Sequence, residues 1–371
     1  MALDHTRDFF GSGGFGATNP TLTTPGLFVT RWITHLCAPT FVLLAGLGAA
    51  LGVQRGQRRW EAARFLVVRG LFLILLELTL VKFGWSLDWN YRFIMLQVIW
   101  AIGWSMIVLG ALLWLPGPVL GLIGLAIIGT HNLADGLSGD KVLPAAPWLW
   151  DLLHNSRFIG LGQVPIIQDL VPQAKQRIAL NLYPVLPWIG VMLTGYALGP
   201  VYQLEPRQRR GVLAGLGVAM IIGFVALRWP NLYGESHVWR EQSNLTRSVM
   251  SFLNCTKYPP SLQFLLMTLG PALILLAGLE WLGGPVAKGL AVFGRVPLFF
   301  YLIHLPALHL GARVVASWPD LEKVWSSRPP MPRWDLPGVY AAWAVAVVVL
   351  FLPCLAFGWL KRRYGGILRY L

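Results

Sequence analysis

A histidine between carboxylates sits in Leu3-Asp4-His5-Thr6-Arg7-Asp8-Phe9-Phe10, a segment that reads as the end of a membrane helix, followed by a glycine-rich loop at 11–16. Residues three and four apart share a helix face, so Asp4, Arg7 and Asp8 form one polar face with His5 beside it. Neutral imidazole accepts a proton near pH 7, and a neighbouring carboxylate orients the ring and stabilises its cation. Such a base turns an alcohol or amine into a nucleophile, which is the first requirement of acyl transfer. His5 is therefore expected to be the general base, with Asp4 or Asp8 orienting it.

Other polar residues lie at comparable depths in apolar segments, where an ionisable group is costly and marks a reaction site or a transport path. His35 follows Arg31 by four residues and enters its segment from Leu27 by ~12 Å, so it is expected to line the same pocket as His5. Arg69 and Glu77 fall on one stripe, Gln97 comes early in the next apolar segment, and His304 lies near the middle of a late one. Arg31, Glu77, Gln97 and His304 are expected around the substrate pocket, His304 mainly as a structural member. Arg58, Arg59, Arg64 and Arg69 suit a phosphate-bearing donor, because a guanidinium binds phosphate bidentately. Each has a plainer reading: an interfacial charge cluster for Asp4, Arg7 and Asp8, a carbonyl-bonded core histidine for His35, an arginine partner for Glu77, interhelical glue for Gln97, and topology for the arginines.

The elements that position these groups follow from composition. Of 371 residues 56% are apolar and 12% charged, too little charge to cover a soluble protein of this length. The apolar runs are continuous rather than alternating, which predicts an all-α polytopic transmembrane bundle and excludes a barrel. Ten spans are expected, at 1–10 (a half-helix), 26–53, 65–85, 93–114, 118–133, 180–200, 211–229, 261–282, 291–316 and 338–360. Ten residues cannot cross a bilayer, so the natural chain is expected to start upstream of Met1. The segment 134–179 carries an expected interfacial helix around 148–154. Gly211, Gly215, Ala219 and Gly223 repeat every four residues and are expected to be a helix-packing stripe.

Arginines cluster in the short loops that alternate to one side: Arg55, Arg58, Arg59 and Arg64, then Arg207, Arg209 and Arg210, then Lys288, and finally Lys361, Arg362 and Arg363. That side is expected to be cytoplasmic. The net charge of +14 is largely this set, an imprint of the bilayer and not of nucleic acid. Cys37, Cys255 and Cys354 form no CxxC pair, so neither a disulfide nor a metal framework is expected.

Leu3 to Phe10, the stretch from Thr24-Pro25 to Ala45-Gly46, Leu96-Gln97, Tyr183 to Gly190 and Lys257 to Leu262 resemble bacterial membrane proteins grouped with heparan-alpha-glucosaminide N-acetyltransferase. A more distant resemblance is to the acyltransferase-3 family, whose late Gly and Tyr-Leu-x-His-x-Pro pattern is matched by Gly294 and Tyr301-Leu302-Ile303-His304-Leu305-Pro306. That family's first-helix pattern, an arginine and then a catalytic histidine, is matched by His5, while the arginine position falls before Met1.

These resemblances imply one integral membrane acyltransferase-like domain over residues 1–371 in a bacterial inner membrane, and the arginine-rich loops make both ends of the full-length chain expected to be cytoplasmic. They imply a cytoplasmic acyl-CoA donor, with acetyl-CoA as the expected form. The implied acceptor is a sugar hydroxyl or amine of an external glycan or glycolipid. The alternative is a transporter or flippase for a small polar or lipid-linked substrate, which would be expected to show internal repeats. A non-catalytic membrane subunit is the third reading.

Overall fold

The computed structural model describes residues 1–12, 18–170, 174–326, 329–366, 368 and 371. The glycine-rich loop read at 11–16 thus lies mostly outside the described residues. The chain opens with α1 (Ala2–Phe10), α2 (Pro25–His35), α3 (Cys37–Gln54) and α4 (Arg59–Leu76). A π-helical segment, Glu77–Val81, carries α4 into α5 (Lys82–Ser86), and β1 (Phe93–Leu96), α6 (Val98–Leu112) and α7 (Gly117–Thr130) follow. Short pieces come next: α8 (Gly139–Val142), α9 (Pro147–Leu153), β2 (Phe158–Gly160), α10 (Pro165–Leu170) and β3 (Ile178–Asn181). Then come α11 (Val185–Ala197), α12 (Pro206–Arg228), α13 (Leu245–Leu253) and α14 (Leu262–Leu279). The chain closes with α15 (Gly284–Arg295), α16 (Pro297–Ser317) and α17 (Leu336–Tyr364).

The structure is 72% helical, which makes the chain an all-α polytopic bundle. Among the described residues seven helical stretches are long and apolar enough to cross a membrane: Pro25–Gln54, Gly117–Ala134, Val185–Gln203, Pro206–Arg228, Leu262–Leu279, Pro297–Ser317 and Leu336–Tyr364. The other three expected spans depart from that form. α1 has nine residues. The run from α4 to α5 carries Arg64, Arg69, Glu77 and Lys82 and passes through the π segment. The span expected from 93 begins instead as a strand, and its helix has only 15 residues.

The helix expected over 26–53 is divided at Leu36. Pro39 has no N–H for the carbonyl of His35, so the ladder is interrupted there and His35 becomes the last residue of α2. The span expected over 291–316 likewise breaks at Val296, before the proline that starts α16. Strand pairing is a small exception to the helical class. β3 lies between β1 and β2 and pairs parallel with β1, from Phe93 opposite Ile178 to Leu96 opposite Asn181. This clasp fixes where α6 starts.

Close helix contacts use glycine, though not the stripe expected. A Cβ on Gly211 or Gly215 would meet nothing within 4 Å, and Ala219 is exposed. α12 instead approaches α14 through Gly217, where a Cβ would stand 2.6 Å from the Gly270 carbonyl oxygen. Of the four-residue repeat only Gly223 comes near α14, where a Cβ would stand 3.8 Å from the Leu266 side chain.

The arginine-bearing turns gather at one end of the bundle. Arg59 Nη1 donates to the Trp114 carbonyl at 3.1 Å, and Arg209 holds Glu280 through Nε and Nη2 at 2.7 and 2.9 Å. At the other end Arg228, 1% exposed, donates to the carbonyls of His237, Ser251, Phe252 and Asn254 at 2.7–3.0 Å. That one guanidinium ties the end of α12 to the segment carrying α13, which borders the site.

Candidate functional site

Most of the buried polar residues singled out in the sequence face one cavity of about 670 Å3. α1 contributes Asp4, His5, Arg7 and Asp8; α2 contributes Arg31 and His35; Gln97 reaches it from the start of α6. The charges are arranged in opposite pairs. Arg31 Nη1 binds Asp4, and Arg7 Nη2 lies 3.3 Å from Asp4 and 2.5 Å from Asp8. Two carboxylates and two guanidiniums thus neutralise one another, as buried charges must.

This arrangement corrects the role expected for the carboxylates. Neither Asp4 nor Asp8 hydrogen-bonds His5, because both are committed to arginines. The partner of His5 is His304, with Nδ1 of His5 and Nε2 of His304 2.8 Å apart. His304 Nδ1 lies 2.8 Å from the Phe300 carbonyl, which only accepts. His304 therefore carries its proton on Nδ1, its Nε2 accepts from His5 Nδ1–H, and His5 Nε2 is left with a free lone pair. His304, expected as a structural member of the pocket wall, holds the tautomer of His5 instead. Trp85 packs its edge on the His5 ring at 5.2 Å.

His35 Nδ1 and the Gln97 Nε2 amide face burial without a hydrogen-bond partner among the described residues. Glu77 lies elsewhere. Fully buried at the start of the π segment, it accepts from the Trp100 backbone N–H at 3.2 Å. Among the described residues it meets no arginine, and it does not line this cavity. It sits against the N-terminus of α6, where a carboxylate satisfies otherwise unpaired N–H groups and complements the helix dipole.

A second cavity, about 520 Å3, opens toward the arginine-rich end and is lined mostly by apolar side chains with Gln57 and Arg69. Arg69 Nε has no hydrogen-bond partner among the described residues. Arg58, Arg59 and Arg64 are not part of that lining. Arg58 precedes α4, Arg59 binds the Trp114 carbonyl, and Arg64 lies 5.9 Å from the Trp60 ring. Met1, Phe41, Val98 and Tyr301 border both cavities, so the two meet at a common wall.

Several residues at the first cavity escaped the sequence reading. Lys257 and Tyr258 line it from the segment before α14. Burial alone would raise the Tyr258 phenol, but the neighbouring Lys257 and Arg31 charges pull it below its usual value. His237 and Thr256 also line it. Thr256 Oγ1 donates to the buried Glu235 at 2.5 Å and receives His237 Nδ1–H at 2.8 Å, so His237 too presents a free Nε2. Nothing periodic marks these positions; Lys257 and Tyr258 fall in the Lys257 to Leu262 stretch that carries the family resemblance, without a role assigned to them there, and a Gly-Glu-Ser-His run in a long loop is the local signal for His237.

The family described as heparan-alpha-glucosaminide N-acetyltransferase, catalytic, matches residues 13–214. The matched stretch holds Arg31, His35, Arg69 and Gln97 and leaves out His5 and His304. No curated protein matches the chain.

Proposed function

The chain belongs to the heparan-alpha-glucosaminide N-acetyltransferase catalytic family, and from that premise we propose that it moves an acetyl group from acetyl-CoA to a glycan or glycolipid acceptor across the membrane. The observation that carries this reading is the wall shared by the two cavities: a donor and an acceptor entering from opposite ends meet there without either crossing. In this reading residues 1–371 act as one membrane acyltransferase domain.

The Arg69 cavity takes the acyl thioester arm. Its apolar lining suits the arm, and Arg69, with Arg58, Arg59 and Arg64 at the same end, attracts the phosphates of the nucleotide. The arginine-rich end is then the cytoplasmic one, where acyl-CoA is made. The His5 cavity takes the acceptor, with Arg31, His35 and Gln97 around it. His5 Nε2 accepts the proton of the attacking hydroxyl or amine, and the acceptor heteroatom bonds to the thioester carbon. The C–S bond breaks, and the CoA thiolate takes up the proton from the His5 imidazolium. Acceptor–H and acetyl-S-CoA thus become acetyl-acceptor and CoA-SH.

Proteoliposomes of one orientation, with labelled acetyl-CoA on the Arg69 side and methyl glucosaminide on the His5 side, test this. Label is expected on the sugar only with the donor on the Arg69 side. Movement of unmodified sugar without acetylation would replace the reading with that of a transporter.

A further inference from the structure

Among the residues bordering both cavities, Met1, Phe41 and Val98 offer apolar side chains, while Tyr301 offers a phenol. That phenol is buried, the residue being 3% exposed, and its oxygen has no hydrogen-bond partner among the described residues. An unpaired buried donor loses the hydrogen bonds it had in water and gains none, so folding alone does not explain its retention. Two further neutral donors facing the His5 cavity share this condition, Trp85 Nε1 and Gln97 Nε2. Both aromatic donors flank the base: ring centres lie 5.2 Å from His5 for Trp85 and 6.3 Å for Tyr301.

We propose that Tyr301, assisted by Gln97 and Trp85, is the oxyanion hole of the transfer reaction, donating to the thioester carbonyl oxygen. The inference rests on the acetyltransferase reading of these cavities. When the acceptor heteroatom attacks, the carbonyl π pair moves onto oxygen and a tetrahedral oxyanion forms. Collapse of that oxyanion restores the C=O bond and expels the CoA thiolate, while the acceptor proton travels by way of His5. A base at hydrogen-bond distance from the nucleophile and a donor at hydrogen-bond distance from the oxygen stand roughly 5–7 Å apart across such an intermediate. The ring centres of Trp85 and Tyr301 stand at a comparable distance from the His5 ring, which places both donors beside the base. The thioester, entering from the Arg69 cavity, meets the acceptor only at the common wall, and Tyr301 brings the polar side chain of that wall. Asp4, Asp8, Arg7 and Arg31 are already engaged with one another and Lys257 lies against the rings of Tyr183 and Tyr258, which leaves these neutral donors beside His5 for a charge that exists only during the reaction.

Tyr301→Phe tests the proposal, because it keeps the ring and removes the hydroxyl. With labelled acetyl-CoA and methyl glucosaminide, kcat is expected to fall about 10²-fold, the usual scale for loss of one oxyanion donor. The KM for acetyl-CoA should stay within twofold, and the melting temperature should be unchanged or higher, since no hydrogen bond is lost. Bound acetyl-CoA labelled with 13C at the carbonyl should show a C=O stretch below its solution value in the wild type, moving back toward that value in Tyr301→Phe. Gln97→Leu should act in the same direction by a smaller factor. Wild-type kcat and an unshifted carbonyl stretch in Tyr301→Phe would overturn the oxyanion assignment while leaving the acetyltransferase reading intact. A lowered melting temperature with parallel loss of acetyl-CoA binding would return Tyr301 to a structural role. Failure of the wild type to bind acetyl-CoA at all would strike the functional reading itself, and this assignment with it.

Discussion

Between α12 and α14 the backbones approach at Gly217 and Gly270, and each helix continues through the contact, with Pro271 withholding one N–H from the Met267 carbonyl in α14. Around His5 α1 and α16 are continuous, but three neighbouring elements are interrupted. α2 stops at His35, α4 changes to a π segment at Glu77, and α6 begins only at Val98 after a strand. The first region gains its stability from close packing of apolar surface. The second carries polar atoms without partners among the described residues, including His35 Nδ1, Gln97 Nε2, Trp85 Nε1 and Tyr301 Oη. A continuous helix satisfies its own backbone and leaves nothing over for chemistry, whereas broken helices at membrane depth persist only where protein or a cavity surrounds them. Stability and activity should therefore respond separately to change in the two regions.

The largest expected effect is on activity. His5→Ala should lower kcat by roughly 10²–10⁴-fold, the contribution of a positioned base, with expression and acetyl-CoA binding near wild type. His304→Ala should lower kcat by about tenfold or more through loss of the bond that sets the His5 tautomer. Wild-type turnover in a reconstituted assay of His5→Ala would remove the base from the mechanism.

Glu77→Ala sharpens the boundary between the regions, because Glu77 supports the site without lining it. Its loss leaves buried N–H groups of α6 unpaired at about 1–3 kcal/mol. The melting temperature in detergent should fall, and the kcat of the folded fraction should fall less than in His5→Ala. On the packing side, Gly217→Ala should cost about 1–3 kcal/mol by forcing α12 from α14, while Gly215→Ala should change stability by less than about 0.5 kcal/mol. Both should keep wild-type kcat per folded molecule. Equal destabilisation by the two glycine variants would show that the contact face has been misassigned.

The smallest effect concerns the loop after α7. Asp135 is partly buried, but hydrogen bonds from His154 and Asn132 hold its carboxyl below the usual range. A depressed carboxyl adds stability above its unfolded value of about 3.9, and that stability is lost as pH falls through the folded value. Asp135→Asn should therefore narrow the difference in melting temperature between pH 7 and pH 3 slightly, with kcat unchanged at pH 7.

The seven apolar spans were legible because hydrophobic length is written along the chain. His5, His35, Arg31 and Gln97 were legible for the complementary reason: a polar group in an apolar run stands out wherever the chain folds. Their partners were not. His304 lies 299 positions from His5, and no local pattern tells an imidazole that it faces another. Asp4 and Asp8 were adjacent in sequence and looked like orienting groups, yet the guanidiniums of Arg7 and Arg31 claimed them. Glu77 was recognisable as a buried carboxylate but not as the anchor of a helix start, since that start depends on strand pairing between 93–96 and 178–181. The glycine stripe on α12 failed in a further way: repetition names a face, while only the position of α14 decides which face is used.

The wall of Met1, Phe41, Val98 and Tyr301 has a consequence for the cell's energy economy. If water fills the two cavities from opposite ends, as the proposed reaction requires, these side chains also serve as insulation. Much of the transmembrane voltage would then fall across them. Small replacements there, such as Phe41→Ala, should raise proton conductance through reconstituted vesicles even without substrate, so this part of the site is constrained by leakage as well as by turnover.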